Sequence, residues 1–434
     1  MFRPTVIAMV FAMLSAFHAQ ADDVEAAIAT FLTEDGFVAQ DIDAVEVELS
    51  RGGADGAALR PEIIQRRIGT HGFGAATALV LHYPSDRIRY PGFNGSSSLR
   101  LATDGTFHDG GHGRQVSING GALGLLARLR GSGGEVEAHA DLLVRVPPGR
   151  SVAIFLAAGQ ARADGLRADL VVSTGAAPVT VNDHEGRLVA DTGSGSVRLH
   201  RVMGDVLADT GSGSVELSDI EGARITADTG SGRVGMQNLR GDRLHVDTGS
   251  GSVTGTALDF RGHVLVDTGS GSIQLQGVTA GSLRADTGSG TVGLDGLVSA
   301  GPVEVDTGSG SVRGKDVRAP TLRVDTGSGA VVIGALEAAD IHVDTGSGRV
   351  GLDLVSAPAR TRIDTGSGGI ELTLPADYSA DATLRTRSGR IHSDLPMQGE
   401  LAPRQFSGRV GTDPGSAASL QVSAGSGSIR LGRR

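Results

Sequence analysis

The chain contains no cysteine and no tryptophan, and aromatic residues fill only 3% of its 434 positions. Without cysteine there can be no disulfide, thiol nucleophile, thiolate metal ligand or acylated N-terminal cysteine. With so few aromatics, one large globular core of the usual kind is excluded. Long apolar runs are also missing. The longest, Val6 to Phe17, covers 12 residues, where a spanning helix needs roughly 20. Basic charge is in deficit: 39 Lys and Arg stand against 49 Asp and Glu, a net charge of −10. A surface of that sign repels phosphate backbones, so no nucleic-acid partner is expected.

What the chain has in abundance is glycine, 67 residues of it. Small residues with scattered Val, Leu and Ile suit a thin core of many similar layers, which is a repeat architecture. The first residues read as a secretory leader: Arg3, the apolar run, then Ala19-Gln20-Ala21, with cleavage expected after Ala21. The expected location is periplasmic, outer-surface or secreted.

The pentapeptide Asp-Thr-Gly-Ser-Gly occurs ten times unchanged, starting at Asp191, Asp209, Asp228, Asp247, Asp267, Asp286, Asp306, Asp325, Asp344 and Asp364. Successive copies are 18 to 20 residues apart, a spacing that marks a tandem repeat. Apolar residues recur one and three positions before each Asp (Ala227 and Ile225, Val246 and Leu244) and six and eight after (Val234 and Met236), although Gly255 and Gly314 interrupt the last series. A further apolar position lies eleven after, as at Leu239 and Leu258. Period-two alternation on both sides of the motif predicts two short strands per repeat, each with one apolar face. The glycines are expected to make the turn between them by adopting positive φ. Alternation puts Asp outward and Thr inward.

Such a strand pair cannot bury its apolar face alone. Stacking repeat on repeat predicts an all-β fold: a single-stranded parallel β-solenoid, or β-helix, of about 19-residue coils with a small N-terminal cap region. The expected organisation is a leader over 1–21, a cap or docking segment over 22–75, degenerate β-repeats over 76–185, the regular solenoid over 186–374, and degenerate coils with a cap over 375–434. Within 22–75, Asp22-Asp23 can cap a short helix carrying Val24, Ile28, Phe31 and Leu32 up to Gly36.

An apolar residue followed by Asp-Thr-Gly-Ser is also an aspartic-protease signature. That chemistry needs two aspartates converging on one proton, whereas one Asp per coil makes a column. Each Asp is expected to accept hydrogen bonds from its own turn. Neighbouring carboxylates about 4.8 Å apart repel by about 0.9 kcal/mol in water, which Arg187, Arg224, Arg243 and Arg323 could offset, or a cation. Calcium along the ten aspartates is therefore the one cofactor reading, though known calcium solenoids use another repeat; no other cofactor is expected. His108 and His112 around Asp109, and His71, stand in glycine-rich loops and read as solvated. No catalytic residue is expected, because coils this uniform leave no room for the long loops that build a groove in carbohydrate-active β-helices.

Three segments carry a family resemblance over roughly 76–434: Asp141 to Gly149 with its Pro147-Pro148 turn, the repeating cadence itself, and Ile370 to Pro375 followed by Ser388-Gly389-Arg390-Ile391. Tyr83 to Ile88 adds a fourth, weaker match. The chain resembles a bacterial β-strand-repeat family of adhesin type, formally a domain of unknown function. The resemblance implies a β-solenoid, export, and an envelope or extracellular protein or glycan as partner, with no catalytic residues to carry over. The expectation is thus a non-enzymatic, adhesin-like surface, with a calcium-dependent binding module and a carbohydrate-active enzyme as alternatives.

Overall fold

The structure is a computed structural model that describes residues 6–12, 45–67, 75–90, 96–101, 114–120 and 135–434. The helix expected before Gly36, the Ala19–Ala21 cleavage site, and His71, His108, Asp109 and His112 lie outside the described residues. Among those described, the helical content is one short 3-10 turn, Gly56–Ala58, and no helix is long and apolar enough to cross a membrane. The protein is all-β, and its chain divides into two compact units, Met1–Ser214 and Val215–Arg434.

The first unit begins with β1 (Val6–Ala12), β2 (Glu46–Gly52), β3 (Arg60–Arg67), β4 (Ala75–Tyr83), β5 (Arg87–Arg89), β6 (Ser96–Leu101), β7 (Arg114–Asn119), β8 (Glu135–Glu137), β9 (His139–Arg145) and β10 (Val152–Leu156). The leader-like segment β1 lies as a strand between β4 and β10, antiparallel to both. β2 pairs with β9, while β6, β7, β5 and β8 form a small separate sheet. From β10 onward pairing turns parallel. β10 stacks on Leu170–Thr174, that strand on Leu188–Thr192, and that on Val206–Thr210. The stack therefore starts before the first full motif, with Ser173 and Thr174 in the places of Asp191 and Thr192.

The second unit holds the regular coils. Aspartate pairs with aspartate and threonine with threonine from the coil of Asp228 to that of Asp364. The positions three and one before each Asp, and six, eight and eleven after, face inward with most 0–2% exposed, except that after Asp344 the eleventh residue, Val355, is exposed and Leu354 is buried in its place. A buried position that periodicity did not reveal lies thirteen after, held by Phe260, Ala280, Ser299, Ala319 and Ala338. Where Gly255 breaks the apolar series, the space a Cβ would need is taken by Leu258 and Leu275. Neighbouring side chains thus close the gap, and no void results. The 20-residue coils that start at Asp247 and Asp286 take their extra residue just beyond the thirteenth position, whereas the one that starts at Asp344 first drops a residue, so that Leu354 lies over Leu336.

The stack closes out of sequence order. Thr361–Thr365 pairs with Leu420–Ala424, which in turn pairs with Ala382–Thr386. The chain skips one coil position after Leu374, builds an antiparallel cap from 380–386, 405–410 and 397–402, and returns to fill the skipped position with its last coil. Arg409 holds the returning segment by donating to the carbonyls of Asp413 and Ser416 and to Asp381. Parallel edges that would otherwise template further stacking end in an antiparallel hairpin.

Up to the coil of Asp325, successive coils also bend at a single residue ten after the Asp position, which adopts the left-handed conformation: Asp183 and Arg201 in the first unit; Asp219, Asn238, Ala257, Gly277, Gly296, Asp316 and Ala335 in the second. Some of these residues offset the cost with bonds between coils, Arg201 to Asp183 at 2.5 Å and Asn238 to Asp219 at 2.6 Å. Ala335, at φ 50°, has no side chain that can do so. Relief of its Cβ strain exceeds the entropy cost of glycine, so Ala335→Gly is expected to raise stability by about 0.5–1 kcal/mol. A urea midpoint that stays level or falls would contradict this reading of the bend.

Candidate functional site

The motif's turn is held by threonine and not by aspartate. The Thr268 hydroxyl accepts the N–H of Gly271 at 3.0 Å and donates to the Gly251 carbonyl of the preceding coil at 2.9 Å. Thr248, Thr287, Thr307, Thr326, Thr345 and Thr365 repeat both bonds, and each is buried. Threonine therefore lies inward as expected, and its partner in the preceding coil is a glycine carbonyl. The motif glycines correct a second expectation, since none of them has positive φ. They are glycines because a Cβ on Gly251 would sit 1.6 Å from the Gly232 oxygen, and one on Gly249 2.4 Å from the Gly230 oxygen. Close approach of coils, not turn handedness, dictates the residue.

Aspartate is released from structural duty. In the second unit the side chains of Asp228, Asp247, Asp267, Asp286, Asp306, Asp325, Asp344 and Asp364 point outward in single file, and none accepts a bond from a turn amide. In the first unit Asp191 and Asp209 stack in the same register, with the Ser173 hydroxyl 3.5 Å from Asp191. The ion pairs to the second unit's column come from Arg284 to Asp286 at 3.3 Å and Arg362 to Asp364 at 3.1 Å, two arginines that repeat spacing had not singled out. Arg243 and Arg323, which it had, form none.

Single file has two chemical consequences. Two aspartates do not face each other across a cleft, as a shared-proton dyad requires. Among the described residues, no three His, Asp or Glu side chains converge to hold a metal ion. What the column does is load the surface. The carboxyls of Asp267, Asp306 and Asp344 are held above the ordinary 3.8, first by partial burial and then by the aspartates on either side. Asp164, Asp183 and Asp340 behave oppositely, held low by hydrogen bonds from Arg162, Arg201 and Arg360.

Tyr83 and Tyr90, in the first unit, line a cavity of about 420 Å³ together with Phe155 and His139. Burial pushes the Tyr83 hydroxyl up to about 12. The sequence gave no sign of this cavity, whose walls include residues of β4, β5, β7, β9 and β10.

Parallel in-register coils with an outward acid and an inward hydroxyl define a β-solenoid repeat protein. Residues 259–432 match the family model described as Toastrack DUF4097, a domain of unknown function, so the resemblance read from the sequence is shown over this stretch. Ile370–Pro375 and Ser388–Ile391 fall inside the match, whereas Asp141–Gly149 and Tyr83–Ile88 fall outside it. No curated protein and no solved structure matches the chain.

The acid column sets a pH dependence. A carboxyl raised in the folded state binds protons there before it does in the unfolded chain, so stability falls as pH rises through the folded value. Between neutrality and the ordinary 3.8, acidification should therefore raise the melting temperature. Below that, protonation of the Arg-held Asp164, Asp183 and Asp340 should lower it again. A melting temperature that falls steadily from pH 7 downward would show that neither burial nor the neighbouring aspartates hold these carboxyls up.

Proposed function

We propose that the protein is an exported, non-catalytic β-solenoid whose aspartate column is a binding face at the cell envelope, in the manner of an adhesin. One observation carries this reading. Aspartate is outward in all ten copies of the motif, without a turn bond in the second unit, while the outward position two residues before it drifts through Thr226, His245, Leu265, Arg284, Glu304, Arg323, His342 and Arg362. Positions fixed by packing need no other explanation, but an outward, self-repelling acid kept through ten successive repeats does. Complementarity favours a partner that brings positive charge in a repetitive array, either a basic protein surface or a glycan carrying amines. The leader-like start supports export, and the uniform coils support a role without catalysis.

The test uses Asp247→Asn, Asp267→Asn, Asp286→Asn and Asp306→Asn combined in one full-length variant. The melting temperature should hold or rise, while binding to isolated envelope fractions should fall at least about tenfold and weaken with salt. Equal binding by the variant would remove the column from the function. A chelator arm separates the calcium-dependent alternative, since the proposed contact survives it. The mature N-terminus, read by mass, should begin at Asp22.

A further inference from the structure

At the capping end of the second unit the acid column changes sign. Asp364 pairs with Ser423, and Ser423 pairs with Arg385, so serine and then arginine occupy the place of the motif aspartate. Residues 385–389 read Arg-Thr-Arg-Ser-Gly, the same turn with two arginines substituted. Thr386 still performs the turn's work, donating to the Gly427 carbonyl at 2.8 Å and accepting from the Gly389 N–H at 2.9 Å. The arginines are thus additions to an intact turn and not signs of its decay.

A third arginine is brought alongside by the cap. Arg404 lies in the hairpin turn between 397–402 and 405–410, and its carbonyl accepts the Thr386 N–H at 2.9 Å. Arg385, Arg387 and Arg404, with Thr386, Gln405 and Ser423, line an open depression of about 780 Å³ that no acidic side chain enters. All three arginines are exposed, and none forms an ion pair among the described residues. Several other exposed arginines of this acid-rich chain are matched with carboxylates, as in Arg318–Glu337 at 2.6 Å, Arg349–Glu371 at 2.5 Å and Arg360–Asp340 at 2.6 Å. Three unmatched guanidinium groups around one depression repel each other until an anion bridges them.

We propose that Arg385, Arg387 and Arg404 form a binding site for a phosphate group. Forked guanidinium donors match its oxygens two at a time, and the exposed Gln405 and Ser423 supply neutral hydrogen-bonding groups at the rim. The depression is wide and open, so the phosphate can be free or borne on a larger molecule such as a lipid headgroup. This site is distinct from the aspartate column and does not depend on its role.

Full-length protein is titrated with inorganic phosphate, followed by calorimetry, and with phosphatidic acid vesicles against phosphatidylcholine vesicles, followed by sedimentation, all near physiological ionic strength. Saturable binding is expected from at least one phosphate source, and which one responds identifies a soluble or a lipid-borne ligand. Arg404→Gln and, separately, Arg385→Ser should each weaken it at least about tenfold at unchanged melting temperature. Arg404 lies in a surface turn, so its variant remains decisive if Arg385→Ser unfolds. The proposal is overturned if neither source binds, if binding survives both substitutions, or if acetate displaces the ligand as well as phosphate does.

Discussion

A single hydroxyl per coil ties each layer of the repeat to the one before it. By accepting from its own turn and donating to the preceding turn, the buried threonine satisfies two backbone groups that would otherwise be stranded in the core. It can do so only if the coils come close, and the distances at Gly251 and Gly249 show how close: no side chain fits between one turn and the next. The pentapeptide is therefore best read as Thr-x-x-Gly with an additional glycine, a device for coil contact. Once that contact repeats, the Val, Leu and Ile columns follow, because in-register strands bring the same inward position over itself in every coil.

The same geometry separates structure from surface. Inward positions and turn glycines are committed, whereas outward positions alternate with them and are free to serve recognition. An aspartate in that free set, present in every copy, loads one face with charge that the fold does not use. The consequence is visible at Asp267, Asp306 and Asp344, whose carboxyls resist ionisation first because they are partly buried and then because their neighbours are charged. At the cap the identical backbone position carries Arg385. One turn template thus displays opposite charges without rebuilding its hydrogen bonds.

Much of this was legible before any coordinates. Periodicity at Ile225, Ala227, Val234 and Met236 predicts inward faces that are buried, and the spacing predicts parallel stacking in register. The mechanism of the turn was not legible, because a glycine needed for positive φ and one needed for close approach look the same in a sequence. The left-handed bend was hidden for a related reason: Arg201, Asn238 and Ala335 share a conformation but no chemistry. Closure of the second unit was hidden most deeply. Nothing in residues 375–418 announces that the chain will leave a coil position vacant and return to fill it with Leu420, Val422, Ile429 and Leu431. The arginine cluster was overlooked because Arg-Thr-Arg-Ser-Gly looks like a worn turn until Arg404 is placed beside it.

The claim most exposed to refutation is that glycine in the motif is there for contact between coils. Gly251→Ala and its exposed neighbour Ser250→Ala, compared by chemical unfolding, address it directly. A methyl group on Gly251 must push two turns apart and break the Thr268 bridge, so stability should fall by at least about 2 kcal/mol. Ser250→Ala should change it by less than about 0.5 kcal/mol. Equal, small effects at both positions would mean that the coils do not meet at this turn, and the account built on their contact would fail.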